Sequence, residues 1–195
     1  MKSQRDFMAE MVQRLESAGI PYMLVGSWGS AGYGEPRATN DVDILIAPSA
    51  DQLDRFLVAL GSDFYASRDA AREAFRHRRQ FNVIDVKNAW KADLIFQRER
   101  PYSVEAFQRR QVRDVLGARV FVISAEDVIL SKLEWAKETE SERQLRDVLG
   151  VAIAQWGRLD EGYLRRWARE LGVEALLDRV WAEAARVRPG ESSGA

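Results

Sequence analysis

Two aspartates one residue apart, Asp41 and Asp43, stand immediately ahead of the aliphatic run Ile44-Leu45-Ile46. At the start of a strand, alternate side chains share a face, so both carboxylates would point the same way. Two like charges that close repel unless a cation lies between them, and oxygen ligands suit a hard ion such as Mg²⁺. Upstream, the apolar run Leu24-Val25 ends in Gly26-Ser27. That pair offers backbone N–H groups and a hydroxyl, the donors that hold a phosphate at the start of a helix. The bland alternative, a βα turn followed by a strand with solvent-facing acids, does not explain two acids at the head of an apolar run.

The string Gly26-Ser27, Arg37-x-Thr39-x-Asp41-x-Asp43 resembles the signature of the DNA polymerase β-like nucleotidyltransferase superfamily, and more narrowly the AbiEii/MenT group, known mainly as toxins of bacterial toxin–antitoxin pairs. The resemblance implies a mixed α/β sheet with flanking helices, followed by a C-terminal helical domain. It implies an enzyme that moves a nucleoside monophosphate from an NTP to an acceptor hydroxyl and releases pyrophosphate. Asp41 and Asp43 would hold two Mg²⁺ ions, with Mn²⁺ as the alternative ion. Gly26 and Ser27 would grip the β- and γ-phosphates, Arg37 would brace the loop or contact phosphate, and Thr39 would fix the strand entry.

The elements that must position these residues follow from pattern. A chain of 195 residues suits one large or two small domains, and 46% apolar with 30% charged residues describes an ordinary globular protein. No cysteine excludes disulfides and thiolate sites, and a single histidine excludes a multi-histidine zinc site. The absence of a membrane-length apolar run and of a signal-like start leads to the expectation of a cytoplasmic protein with no membrane partner. The net charge of −1 speaks against a generally basic nucleic-acid coat, though not against a local patch.

Phe7, Met8, Met11, Val12 and Leu15 recur at helical spacing ahead of Gly19. Residues 21–25 read as a first strand, 27–31 as a short helix, and 41–46 as a second strand too buried to alternate clearly. Ser49 and Gln52 form a capping-box pattern ahead of a helix closed by Gly61. The basic stretch 67–80 is helical or irregular, and 81–86 with 90–96 form a hairpin about Lys87-Asn88-Ala89. A further hairpin is expected about Gly117-Ala118. From the N-cap signal Ser124-Ala125-Glu126-Asp127 onward the chain reads as helices, their aromatic stripes being packing core. The expected division is a catalytic domain over 1–123, a helical domain over 124–188 and a frayed tail over 189–195.

The superfamily commonly carries a third carboxylate on a neighbouring strand. Asp93, in Ala92-Asp93-Leu94-Ile95-Phe96, matches that role and would share a metal with the pair; Asp85, on the other arm of the hairpin, is the competitor. Asp93 is preferred because its run resembles the superfamily's buried central strand. The toxin-type group also carries a functional lysine on the helix after the sheet and an acid on the next helix. Lys132 and Asp147 match these by context, Lys132 either meeting a triphosphate or pairing with a carboxylate. Three function classes result: transfer to RNA such as a tRNA end, with a cognate antitoxin as partner; transfer to a small molecule, as aminoglycoside nucleotidyltransferases perform, or to a protein side chain; and a non-catalytic nucleotide-binding module. Arg76-His77-Arg78-Arg79, with Arg109 and Arg110, is the candidate phosphate-backbone contact, or else a solvated face.

Overall fold

The computed structural model describes residues 2–33 and 41–187. Arg37 and Thr39, and the expected tail 189–195, lie outside the described residues. The chain divides into two compact units: residues 2–32 and 41–123 in one, Tyr33 and 124–187 in the other.

The first unit is a mixed sheet with helices. Helix α1 (Gln4–Ser17) starts in a reciprocal capping box between Ser3 and Asp6, and buries Phe7, Met8, Met11, Val12 and Leu15. Strand β1 (Tyr22–Leu24), the one-turn helix α2 (Gly26–Ser30) and strand β2 (Asp41–Ile46) follow. Helix α3 (Ala50–Ala59) opens with the Ser49/Gln52 capping box. A two-residue strand β3 (Phe64–Tyr65) precedes α4 (Arg68–Arg76), and β4 (Gln80–Asp85) turns into β5 (Lys91–Phe96). Helix α5 (Pro101–Gln108) carries its proline in the first turn, where the missing N–H costs nothing. Strands β6 (Gln111–Val115) and β7 (Ala118–Val122) close the sheet as a hairpin.

The sheet has seven strands in the order β3-β4-β5-β2-β1-β7-β6, so β2 lies at its middle. It pairs parallel with β5 and antiparallel with β1. Contrary to the expectation of a strand buried on both faces, β2 and β5 alternate strictly. Val42, Ile44 and Ile46, with Ala92, Leu94 and Phe96, are fully buried, while Asp41, Asp43, Leu45, Lys91, Asp93 and Ile95 share a half-open face. The buried face is fastened by aromatic packing: Phe96 stacks on Phe81 at 5.7 Å and meets Phe75 of α4 edge-on at 5.5 Å.

The second unit holds four helices among its described residues: α6 (Ala125–Thr139), α7 (Glu142–Ala154), α8 (Glu161–Glu170) and α9 (Glu174–Val187). Their apolar stripes supply its core through Val128, Ile129, Leu133, Val148, Ala152, Leu164, Leu177 and Val180, with the Trp156 and Trp181 rings 6.1 Å apart. Polar anchors hold the start of α6. Asp127, wholly buried, accepts hydrogen bonds from the Ser124 hydroxyl at 2.6 Å and the Tyr163 hydroxyl at 2.7 Å. Glu126 accepts from the backbone N–H of Asp160, the N-cap of α8, at 3.0 Å. Among the described residues no helix is long and apolar enough to cross a membrane.

Candidate active site

Strand register decides which acids meet. In the parallel β2–β5 pair, Asp41 faces Lys91 and Asp43 faces Asp93, two rungs on the same half-open face. The second rung is a like-charge cross-strand pair, an arrangement that weakens a sheet unless a cation offsets it. One oxygen of Asp93, Oδ1, is buried with no hydrogen-bond donor among the described residues. The Lys91 ammonium forms an ion pair with it at 3.4 Å and lies 3.1 Å from Asp41 Oδ2. Burial alone would pull the Lys91 pKa down, but the hydrogen bond to Asp41 and the charges of Asp93 and Asp41 outweigh it and raise it.

The β1–α2 turn closes one end of this face. The N–H of Val25 donates to the carbonyl of Asp43 at 3.0 Å, tying the turn to the strand. Gly26 has φ +57°, and a Cβ there would run into the Asp43 carboxylate, 2.9 Å from its Cγ. Only glycine tolerates both the left-handed backbone and that approach. The turn then enters α2, where Ser30 Oγ donates back to the carbonyl of Gly26 at 3.0 Å. Gly29 is equally confined: a Cβ would sit 2.7 Å from the Leu24 carbonyl oxygen and from Ile123 Cγ2. Gly26 and Ser27 are thus held beside Asp43, with the exposed Gly26 backbone at the rim of the acidic face.

Asp85 is elsewhere. It pairs in register with Phe64, and its parity along β4 puts it with Val83 and Phe81 on the opposite face from Asp93. Its carboxylate is buried and accepts from the N–H groups of Lys87 and Asn88 at 2.9 Å each, from the Asn88 amide, and from Lys2 Nζ at 2.9 Å. Burial would raise its pKa, yet Lys2 and the Asn88 and Lys87 donors together lower it from 3.8 to about 2. This is the anchor of the β4–β5 turn, in which Ala89 adopts φ +57°.

In the helical unit the two residues singled out by context meet each other. Lys132 is buried, and its Nζ lies 2.8 Å from Asp147 Oδ2 and 3.2 Å from Gln144 Oε1. The basic run at the end of α4 meets acids: Arg76 and His77 both pair with Glu73, and Arg78 pairs with Glu99 at 2.6 Å. Arg110 is spread over the Phe107 and Phe121 rings at 4.4 and 5.1 Å.

The donor set on the sheet face suits a hard divalent cation: carboxylate oxygens, a repelling rung, and one buried oxygen lacking a donor. Among the described residues, however, no group of three His, Cys, Asp or Glu side chains converges tightly enough to hold a metal, and the lysine lies between Asp41 and Asp93. Lys91 was not foreseen from the sequence. Its signal was the period of two, since Lys91-x-Asp93 repeats on β5 the spacing of Asp41-x-Asp43 on β2.

No family model matches the chain, and no curated protein sequence does. Solved structures do share its fold. An antigenic nucleotidyltransferase-like protein from Paracoccidioides brasiliensis aligns with 97% of this chain and 95% of its own, at 18% identity and a TM-score of 0.55. The antibiotic-resistance factor ANT(2'')-Ia aligns with 92% of this chain and 96% of its own, at 14% identity and a TM-score of 0.51. The fold is therefore a nucleotidyltransferase-like one, with a seven-stranded mixed sheet.

Proposed function

We propose that this chain is a divalent-metal-dependent nucleotidyltransferase, moving a nucleoside monophosphate from an NTP to an acceptor hydroxyl with release of pyrophosphate. The observation that carries the reading is the Asp43–Asp93 rung, set beside Asp41 on one sheet face and against the Gly26 turn. Asp41, Asp43 and Asp93 are the metal-holding carboxylates in this reading, and Mg²⁺, or Mn²⁺ in its place, is the ion. When bound, such an ion lowers the pKa of an acceptor hydroxyl and offsets charge on the leaving pyrophosphate. The protein's own share is positioning: Asp93 orients the acceptor hydroxyl, and the Gly26 and Ser27 donors hold the terminal phosphates. Arg37 and Thr39 join the phosphate-side loop in this scheme. In this reading the catalytic machinery belongs to a nucleotidyltransferase domain over 1–123, and the helical domain, 124–188, is the second part of the enzyme.

A small hydroxylated molecule is the acceptor we favour. Supporting this are the acid partners of Arg76, His77 and Arg78, the net charge of −1, and the fold shared with an antibiotic-resistance factor. The second reading, a toxin-type enzyme acting on RNA or tRNA and checked by an antitoxin, draws on the meeting of Lys132 with Asp147. Incubation with Mg²⁺, each α-labelled NTP in turn, and either cellular RNA or a small-metabolite extract separates the two. Label in the metabolite fraction is expected. Label in RNA selects the second reading, and no metal-dependent transfer to any fraction removes the enzyme assignment.

A further inference from the structure

The acidic face carries a cation of its own. Lys91 occupies the rung opposite Asp41 and places its ammonium 3.1 Å from Asp41 Oδ2 and 3.4 Å from Asp93 Oδ1. The ammonium therefore stands between two of the carboxylates to which the proposed function gives the metal. Its side chain keeps about a third of its surface in solvent, while that of Asp93 keeps 14%. A lysine on a flexible four-carbon stem, anchored at one side of the pair and open at the other, can leave without any movement of the backbone. The carboxylates cannot separate in the same way, because Asp43 and Asp93 are locked into adjacent parallel strands.

We propose that Lys91 is an exchangeable internal counterion: it offsets part of the charge of the Asp41 and Asp93 carboxylates in the metal-free protein and gives up its place between them when a divalent cation enters with the nucleotide. This inference rests on the nucleotidyltransferase reading above. Lys91 is a positioning residue in it, acting through the two carboxylates. Three consequences are physical. The metal-free sheet keeps its like-charged rung at low cost, because a positive charge sits one rung away. Free metal binds weakly, since it must displace an ammonium already paired with its ligands. Metal arriving with a triphosphate binds well, because the phosphates complete its shell and offer the released ammonium a new anionic partner.

The test is Mn²⁺ binding measured by electron paramagnetic resonance and calorimetry on the full chain, with and without a non-hydrolysable NTP analogue, beside the thermal midpoint. Lys91→Met keeps the stem and removes the charge. It should bind Mn²⁺ about tenfold tighter than the wild type in the absence of nucleotide, the scale of losing one competing charge near the surface. Its midpoint should fall without metal and recover when Mn²⁺ is added, a pattern that loss of mere packing would not produce. Lys91→Arg should restore wild-type metal affinity. Equal Mn²⁺ affinity in wild type and Lys91→Met, or weaker binding in the variant, overturns the counterion role while leaving the enzyme reading in place. Absence of Mn²⁺ binding in both proteins, even with nucleotide, overturns both. If Lys91→Met fails to fold, Lys91→Gln, which retains a polar head, is read by the same affinities.

Discussion

The hairpin β4–β5 carries one aspartate on each face of the sheet, and the two are held for opposite reasons. Asp93 repeats on β5 the half-open position of Asp43 on β2, beside a like charge. Asp85 is enclosed by donors and by Lys2. Substitution should separate them cleanly. Asp93→Asn relieves the repelling rung, so the thermal midpoint should hold or rise, while nucleotidyl transfer falls by about a thousandfold, the scale for removing one preorganised electrostatic contact. Asp85→Asn should leave transfer within about threefold of wild type, yet cost roughly 1–3 kcal/mol by removing a buried charged acceptor. The acid limb gives a second readout. The Asp85 carboxyl titrates near 3.8 when unfolded and about 2 when folded. Its contribution, on the order of 2 kcal/mol, is whole above pH 4 and is lost as pH falls through 2. Urea unfolding from pH 5 to pH 2 should show that loss in the wild type and a flatter curve in Asp85→Asn. An Asp93→Asn enzyme with full activity, or an inactive but stable Asp85→Asn, would put the chemistry on the wrong face.

At the scale of elements, the turn between β1 and α2 is the most constrained piece of the first unit. Gly26→Ala forces a side chain into the left-handed region, at about 1–2 kcal/mol, and drives the Asp43 carboxylate from its place. Stability should drop by about that amount and metal–NTP affinity by tenfold or more. Gly32→Ala, where a Cβ meets nothing within 4 Å, is the control and should change neither. In the helical unit, the buried Lys132 pairs with Asp147, whose side chain keeps a quarter of its surface in solvent. Lys132→Met strands a carboxylate and should cost about 1–3 kcal/mol, whereas the double variant Lys132→Met, Asp147→Leu should recover most of it, giving a coupling above about 0.5 kcal/mol in the cycle. A coupling near zero would leave the lysine's burial without a structural cause. Much of the fold was readable from sequence because it is local: the capping box at Ser49, the N-cap at Ser124, the hairpins, and the period-two spacing of Asp41 and Asp43. Helix α5 was marked by Pro101 at its first turn and still passed unremarked, because its apolar residues follow no strong period. What the sequence does not carry is register between strands about fifty residues apart. That register puts Lys91 against Asp41 and Asp93 against Asp43, whereas the face of Asp85 follows from the short-range β4–β5 hairpin. The same limit kept the half-open face of β2 from view, since Val42-x-Ile44-x-Ile46 and Leu45 look alike until a partner strand assigns their sides.

The whole molecule carries almost balanced charge, a net −1 over 195 residues. Arg76, His77 and Arg78 crowd the end of α4, but Glu73 and Glu99 stand within 3 Å of them, and exposed pairs of this kind screen one another. A surface that grips a polyphosphate backbone does the reverse: it leaves cations uncompensated, releases counterions on binding, and loses affinity steeply with salt. Each neutralised phosphate contributes roughly 0.7–0.9 to the slope of log K against log salt. A small hydroxylated acceptor needs no such surface, because it is held within a pocket by a few hydrogen bonds and the transferred group brings its own charge. The expected outcome is a wild-type protein whose RNA affinity between 50 and 200 mM salt is weak, with a slope of about one or less. The triple variant Arg76→Gln, Arg78→Gln, Arg79→Gln removes three positive charges at exposed or half-exposed positions from the end of α4 to the start of β4. Its turnover with a small acceptor should stay within about twofold of wild type, since Arg76 and Arg78 hold at most about 1 kcal/mol each in their surface pairs. A slope of three or more in the wild type, cut by about two in the triple variant together with its turnover, would make the α4 cluster a phosphate contact and transfer the acceptor assignment to RNA.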